Sequence, residues 1–212
     1  MESPSLLGCS VPFAFLASCL VFLTYWEKAF HFRLFYSVFR YEHDRGEYRS
    51  IPETAGIFST YPSQHLSFAG GVFDQFLGTA LLLACVCAIT DKRNMKVSKQ
   101  LVPLYVGFTV LGLGICFGYN CGYAVNPARD LAPRIFTALA GWGPCVFTTY
   151  SMWWVVPVLA CHLGALAGAW LYYLAVELHW ADGDEDDMFE DEARDTVDTV
   201  DDDEYNTLPA KH

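Results

Sequence analysis

The stretch that decides the fold is Gly118-Tyr119-Asn120-Cys121-Gly122-Tyr123-Ala124-Val125-Asn126-Pro127-Ala128-Arg129-Asp130-Leu131-Ala132-Pro133-Arg134. It is apolar on the whole, yet it carries two amides, two arginines and an aspartate. Pro127 suits the first position of a helix, where its missing N–H costs nothing. Asn126 then caps that helix. The glycines ahead of it permit irregular, polar backbone, which is tolerated at membrane depth only where it lines a cavity or is buried in protein. From Pro127 to about Leu139 a helix rises roughly 20 Å, too short to cross a bilayer. A short helix with its positive end at mid-membrane is a device of channels and transporters.

Working outward, four apolar runs are candidate spans: 6–26, weakened near its start by Pro12, then 72–90, 101–119 and 152–176. A run of nineteen residues rises about 28 Å, close to the ~30 Å hydrocarbon core. The longest, 152–176, has length to spare for tilt. The loop 91–99 holds Lys92, Arg93, Lys96 and Lys99, which the positive-inside rule puts in the cytoplasm. Counting outward, 31–71 is extracellular and both termini are cytoplasmic, although Arg33, Arg40, Arg45 and Arg49 are spread through the 31–71 loop.

The chain of 212 residues is 53% hydrophobic and 16% aromatic, high for a soluble domain. Its net charge of −11 is a property of the tail: residues 182–212 hold 14 acidic and 2 basic residues, and residues 1–181 are near neutral. The tail is acid-dense and expected to be disordered. The eight cysteines lie mostly in apolar runs, as small hydrophobes. No Cys/His spacing reads as a metal site, and no cofactor is expected. No Ser/His/Asp set, paired carboxylates or phosphate loop argues for an enzyme, and nothing points to nucleic acid. The start, Met1-Glu2-Ser3, lacks the basic flank of a signal peptide.

Asn126-Pro127-Ala128-Arg129, with Asp130, Arg134 and the run through Gly143, resembles the second signature loop of the major intrinsic proteins, in the glycerol-conducting branch, the aquaglyceroporins. The likeness extends with fading detail from about Ala55 to Val176. It implies an all-α membrane protein of four transmembrane helices plus one re-entrant half-helix, equivalent to the C-terminal part of the six-helix aquaporin fold. Residues 1–181 would be that partial membrane domain. Two spans, the first signature loop and one filter aromatic of the family have no counterpart here, so the chain is expected to be incomplete as given. The segment His31–His43 resembles nothing in the family.

The resemblance also assigns roles. Asn126, Pro127 and Ala128 are the pore signature, Asn126 donating its amide to solute where the bare residues read equally as a plain N-cap. Arg129, Tyr123 and Gly114 are the selectivity filter: a fixed donor at the narrowest point, an aromatic wall, and a small residue that leaves room for a polyol. Carbonyls of Asn120 to Ala124 accept solute hydroxyls. Asp130 and Arg134, four apart and so able to pair on one face, shape the loop. Asp74 stands where family members carry a buried acid that accepts from the signature loop's backbone, or else it is an interfacial carboxylate. Cys161-His162 departs from the branch; His162 reads as a packing residue or a pH-sensing site. The implied function is a passive plasma-membrane channel for glycerol, water and small neutral solutes, in a homo-tetramer or a hetero-assembly with full-length channels. The alternative is a non-conducting regulator that co-assembles with them.

Overall fold

A computed structural model of the chain describes residues 6–27, 52–94 and 96–180. The expectations for His31–His43 and for the acidic tail lie outside these residues. Among them the chain is all helical: α1 (Leu6–Thr24), the short turn α2 (Pro52–Ala55), α3 (Phe68–Thr90), α4 (Val102–Cys121), the half-helix α5 (Pro127–Thr137), α6 (Cys145–Met152) and α7 (Val155–Ala175). Among the described residues three helices are long and apolar enough to cross a membrane: Phe68–Thr90, Val102–Cys121 and α7 continued to His179. Of the four spans expected, the first falls short of that test, its described apolar part running only from Ser10 to Thr24. Pro12 lies inside α1 without ending it.

The boundaries follow from local chemistry. The Ser67 hydroxyl accepts the Gly70 N–H and caps α3. Pro103 sits near the start of α4, and left-handed Gly122 ends it. The half-helix gives way to a π turn, Ala138–Trp142, in which Gly141 has φ 116°. Helix α6 was not foreseen. It ends in three non-glycine left-handed residues, Tyr150, Ser151 and Met152, which turn the chain sharply into α7.

Small residues let the spans meet. Gly164 and Gly168 of α7 face the carbonyls of Phe76 and Ala80 on α3, and a Cβ at either position would run into that oxygen. This four-residue spacing of small residues is the usual way for membrane helices to bring backbones together. The missing Cβ of Gly71 is replaced by the ring of Trp153, itself 1% exposed. Around it Cys121, Val156 and Ala160 form the larger apolar core. On the other side, α1 is held to the half-helix by aromatic rings: Phe15 and Phe22 each lie 5.6 Å from Phe136, edge-on. Phe58 and Trp142 join the same cluster. Aromatic pairs of this geometry contribute about 0.5–1.5 kcal/mol each beyond their area. The half-helix is therefore wedged between α1 and α7.

Candidate solute site at the half-helix

Asn126 is extended (φ −152°, ψ 118°), and its Oδ1 accepts the N–H groups of Ala128 at 2.9 Å and Arg129 at 3.4 Å. Those donors fix the amide's orientation, because only the oxygen can face them. The Nδ2 group then points away from the helix. Capping and solute donation are thus compatible on one side chain. Pro127 takes the first helical position.

The capped end opens into a groove of about 280 Å³. One wall is α1, through Ala14, Ala17, Ser18 and Val21; the other carries Asn126, Ala128 and Arg129. Arg129 is exposed and lines the groove, and its Nη1 donates to the Phe58 carbonyl over a long 3.4 Å. The groove thus sets a cation and an amide against the wall of α1.

Two buried polar networks hold this end in place. In the first, Arg134 and Asp130 are both fully buried. Arg134 Nε and Nη2 donate to the two oxygens of Asp130 at 3.1 and 3.0 Å. Its remaining donors reach the carbonyls of Val146 at 2.8 Å and Thr60 at 2.5 Å. Asp130 also accepts the Thr60 N–H at 2.7 Å and its hydroxyl at 2.5 Å. The Tyr61 ring lies 4.5 Å beneath the guanidinium. Burial pushes the Tyr61 hydroxyl up to about 12, against the pull of Arg134, so the ring remains a neutral face. Desolvating such ions costs several kcal/mol each, offset only when the geometry is good and further hydrogen bonds satisfy the pair; here four of the five Arg134 donors and both Asp130 oxygens are bonded.

The second network centres on Gln75, which sequence reasoning missed. Gln75 is fully buried, and its Oε1 accepts the Val125 N–H at 2.9 Å. The backbone bond expected of Asp74 is therefore made by its neighbour. Asp74, 5% exposed, is no interfacial carboxylate. It accepts from side chains: Asn120 Nδ2 at 2.7 Å, Cys121 Sγ at 2.9 Å and Gln75 Nε2 at 3.1 Å. The signal in the sequence was an amide beside an acid inside an apolar run, where polar groups must find partners.

The loop between the networks departs from helix at Gly122 (φ 79°), Tyr123 (φ 53°) and Val125 (φ 37°). Only Gly122 supplies glycine's freedom, since Gly118 lies within α4. Non-helical backbone here keeps carbonyls out of an i→i−4 ladder, although the Asn120 carbonyl is already taken by the Ser63 N–H at 2.8 Å. Tyr123 and Gly114 stand against each other, outside the groove. A Cβ on Gly114 would lie 3.3 Å from the Tyr123 ring, whose hydroxyl donates to the Val110 carbonyl at 2.8 Å. The room above Gly114 is thus filled by Tyr123. His162 is exposed on this chain, with Nδ1 2.6 Å from the Val158 carbonyl of its own helix. Its neighbour Cys161 is buried, 3.8 Å from Gln75 Oε1.

The family model described as Major intrinsic protein matches residues 12–172. Aquaporin-10 of Homo sapiens is 50% identical over 133 residues, covering 63% of this chain and 44% of that protein. Aquaporin-3 of Milnesium tardigradum is 40% identical over 168 residues, covering 79% of this chain and 49% of that protein. The chain thus spans somewhat under half the length of these two curated relatives. In fold it is similar to the X-ray structure of the aquaglyceroporin from Plasmodium falciparum, with a TM-score of 0.57, 24% identity, and coverage of 75% of this chain and 58% of that one.

Proposed function

The chain belongs to the major intrinsic proteins, and from that premise we propose that it forms part of a passive channel for glycerol, water and other small neutral solutes. The observation that carries the reading is the groove in which Asn126 and Arg129 face the apolar wall of α1. Size selects solutes there, and hydroxyl groups exchange water for the fixed donors of Asn126 and Arg129. The positive end of the half-helix and the Arg129 cation oppose cations in a low-dielectric passage. No energy source enters the mechanism.

The basic loop 91–99 supports a cytoplasmic position for both termini, within the plasma membrane. The outward face of α4, with Leu104, Phe108, Leu111 and Ile115 exposed, suits lipid or neighbouring copies in a tetramer. The same face favours a second reading, a non-conducting partner that assembles with longer channels.

The test is flux in vesicles holding this chain alone, and this chain fused behind the N-terminal half of a related aquaporin. The proposal expects glycerol and water flux from the fusion and little from the chain alone. A fusion that inserts and folds yet leaves both permeabilities at the level of empty vesicles would sink it. Suppression of a co-reconstituted longer channel would support the second reading instead.

A further inference from the structure

The non-helical segment 58–63 bonds the chain on both sides of the half-helix's capped end. At one end the Phe58 carbonyl accepts from Arg129. At the other the Ser63 N–H donates to the Asn120 carbonyl at 2.8 Å, just ahead of the loop that carries Tyr123. Between them stands Thr60, buried and bonded through every polar atom it has. Its N–H and its hydroxyl both donate to Asp130 Oδ1, and its carbonyl accepts from Arg134. Its Oγ1 also accepts the indole N–H of Trp153, where α6 gives way to α7, at 3.3 Å. The hydroxyl thus works as donor and acceptor at once. Its neighbours differ: the hydroxyls of Ser59 and Tyr61 are buried, with no hydrogen-bond partner among the described residues.

We propose that Thr60 is a positioning residue for Arg129: its hydroxyl pins the 58–60 backbone to the half-helix and so sets the carbonyl that orients the guanidinium. This rests on the reading of Arg129 as a fixed donor in the pore. The connection is short. Adjacent residues of the half-helix, Arg129 and Asp130, grip the segment at the Phe58 carbonyl and the Thr60 N–H, and Ser59 alone separates those two points. Arg129 is the sensitive partner. Its bond to Phe58 is already 3.4 Å long, and at about 3.6 Å such a contact is no longer a hydrogen bond. A shift of a few tenths of an ångström in the 58–60 backbone therefore releases it. Arg134 is buffered against the same shift, because it also holds the Val146 carbonyl and both Asp130 oxygens.

The experiment uses the full chain in nanodiscs and the guanidinium-selective reagent phenylglyoxal, with the extent of modification at Arg129 and Arg134 mapped by mass spectrometry. Thr60→Val keeps the shape of the side chain and loses both hydroxyl bonds. Thr60→Ser keeps both. Ser59→Ala removes a hydroxyl from the same stretch of backbone. Arg129 should react several-fold faster in Thr60→Val and at the parental rate in Thr60→Ser and Ser59→Ala, with Arg134 protected throughout. An unchanged Arg129 rate in Thr60→Val would overturn the proposal, as would an equal gain in Thr60→Ser or in Ser59→Ala. Equal gains at Arg129 and Arg134 would overturn it too, since Thr60 would then serve the fold at large. In the conducting fusion, Thr60→Val should raise proton leak several-fold relative to glycerol flux, and Thr60→Ser should not; a ratio that stays parental in Thr60→Val would count against the proposal. A fusion that passes no solute sinks the channel reading instead, and the labelling still decides what Thr60 does.

Discussion

Arg129 and Arg134 stand five residues apart on one short helix and have opposite fates. Arg134 is sealed, with four of its five N–H donors bonded within the protein. Arg129 is open to the groove, and among the described residues its guanidinium bonds the Phe58 carbonyl, at 3.4 Å. The difference lies in their partners. Asp130 is one turn before Arg134 and its ion pair is local; among the described residues the Arg129 guanidinium bonds a backbone carbonyl and forms no salt bridge. The same residue type thus serves as a structural bolt at one position and as a presented charge at the other. Burial and pairing, not identity, decide which.

The sharpest way to break this comparison is Arg134→Met. It strands Asp130 as an uncompensated buried charge and should cost about 3–5 kcal/mol, read as a large loss of thermal stability in detergent. Asp130→Asn combined with Arg134→Met should recover part of that loss. If the single change is tolerated, the pair is not sealed as described. Next comes Gln75→Leu, which leaves the Val125 N–H without its acceptor. An unsatisfied buried donor costs about 1–3 kcal/mol. Asp74→Asn keeps one of the two acceptor oxygens and should cost less; a larger loss there than from Gln75→Leu would make Asp74 the principal anchor.

Arg129→Val tests the other half of the comparison. Stability should stay within about 0.5 kcal/mol of the parent, as at exposed positions. In a complete pore, exclusion of cations and protons should relax, seen as a current alongside solute flux. The smallest effect expected is the flux ratio in Gly114→Phe. Even a Cβ at this position would lie 3.3 Å from the Tyr123 ring, so the new ring must displace Tyr123 and its bond to the Val110 carbonyl. Glycerol flux should then fall more than water flux. An equal fall in both would mean that Gly114 serves only to seat Tyr123.

The half-helix was legible because its signal is an anomaly. Charges and an Asn-Pro cap inside an apolar run need a reason, and few structures supply one. The pairing of Asp130 with Arg134 was legible from four-residue spacing alone. Gln75 was not, because its partner Val125 lies fifty residues on and nothing local announces the bond. Helix α6 was hidden for another reason: its end depends on left-handed Tyr150, Ser151 and Met152, residues with no intrinsic preference for that conformation. The contact of Gly164 and Gly168 with α3 was readable in principle from their spacing. Which helix they would meet was not. Tyr123 shows the opposite limit: its family position was recognised, while its ring turned out to occupy the space above Gly114.

The local nature of the Asp130–Arg134 pair bears on how this protein enters a membrane at all. Each charge presented singly to the hydrocarbon centre carries an insertion cost of about 2.5–3.5 kcal/mol. A pair one turn apart can close as soon as that turn winds, before Thr60 or Val146 arrive. The half-helix can then be delivered to its neighbours as a nearly neutral unit, and the later carbonyl contacts lock an arrangement already made. Arg129 has no such escort. During biogenesis it must stay with water or lipid phosphates until the groove is there to receive it, which makes docking of α1 against α5 the step after which the site can exist.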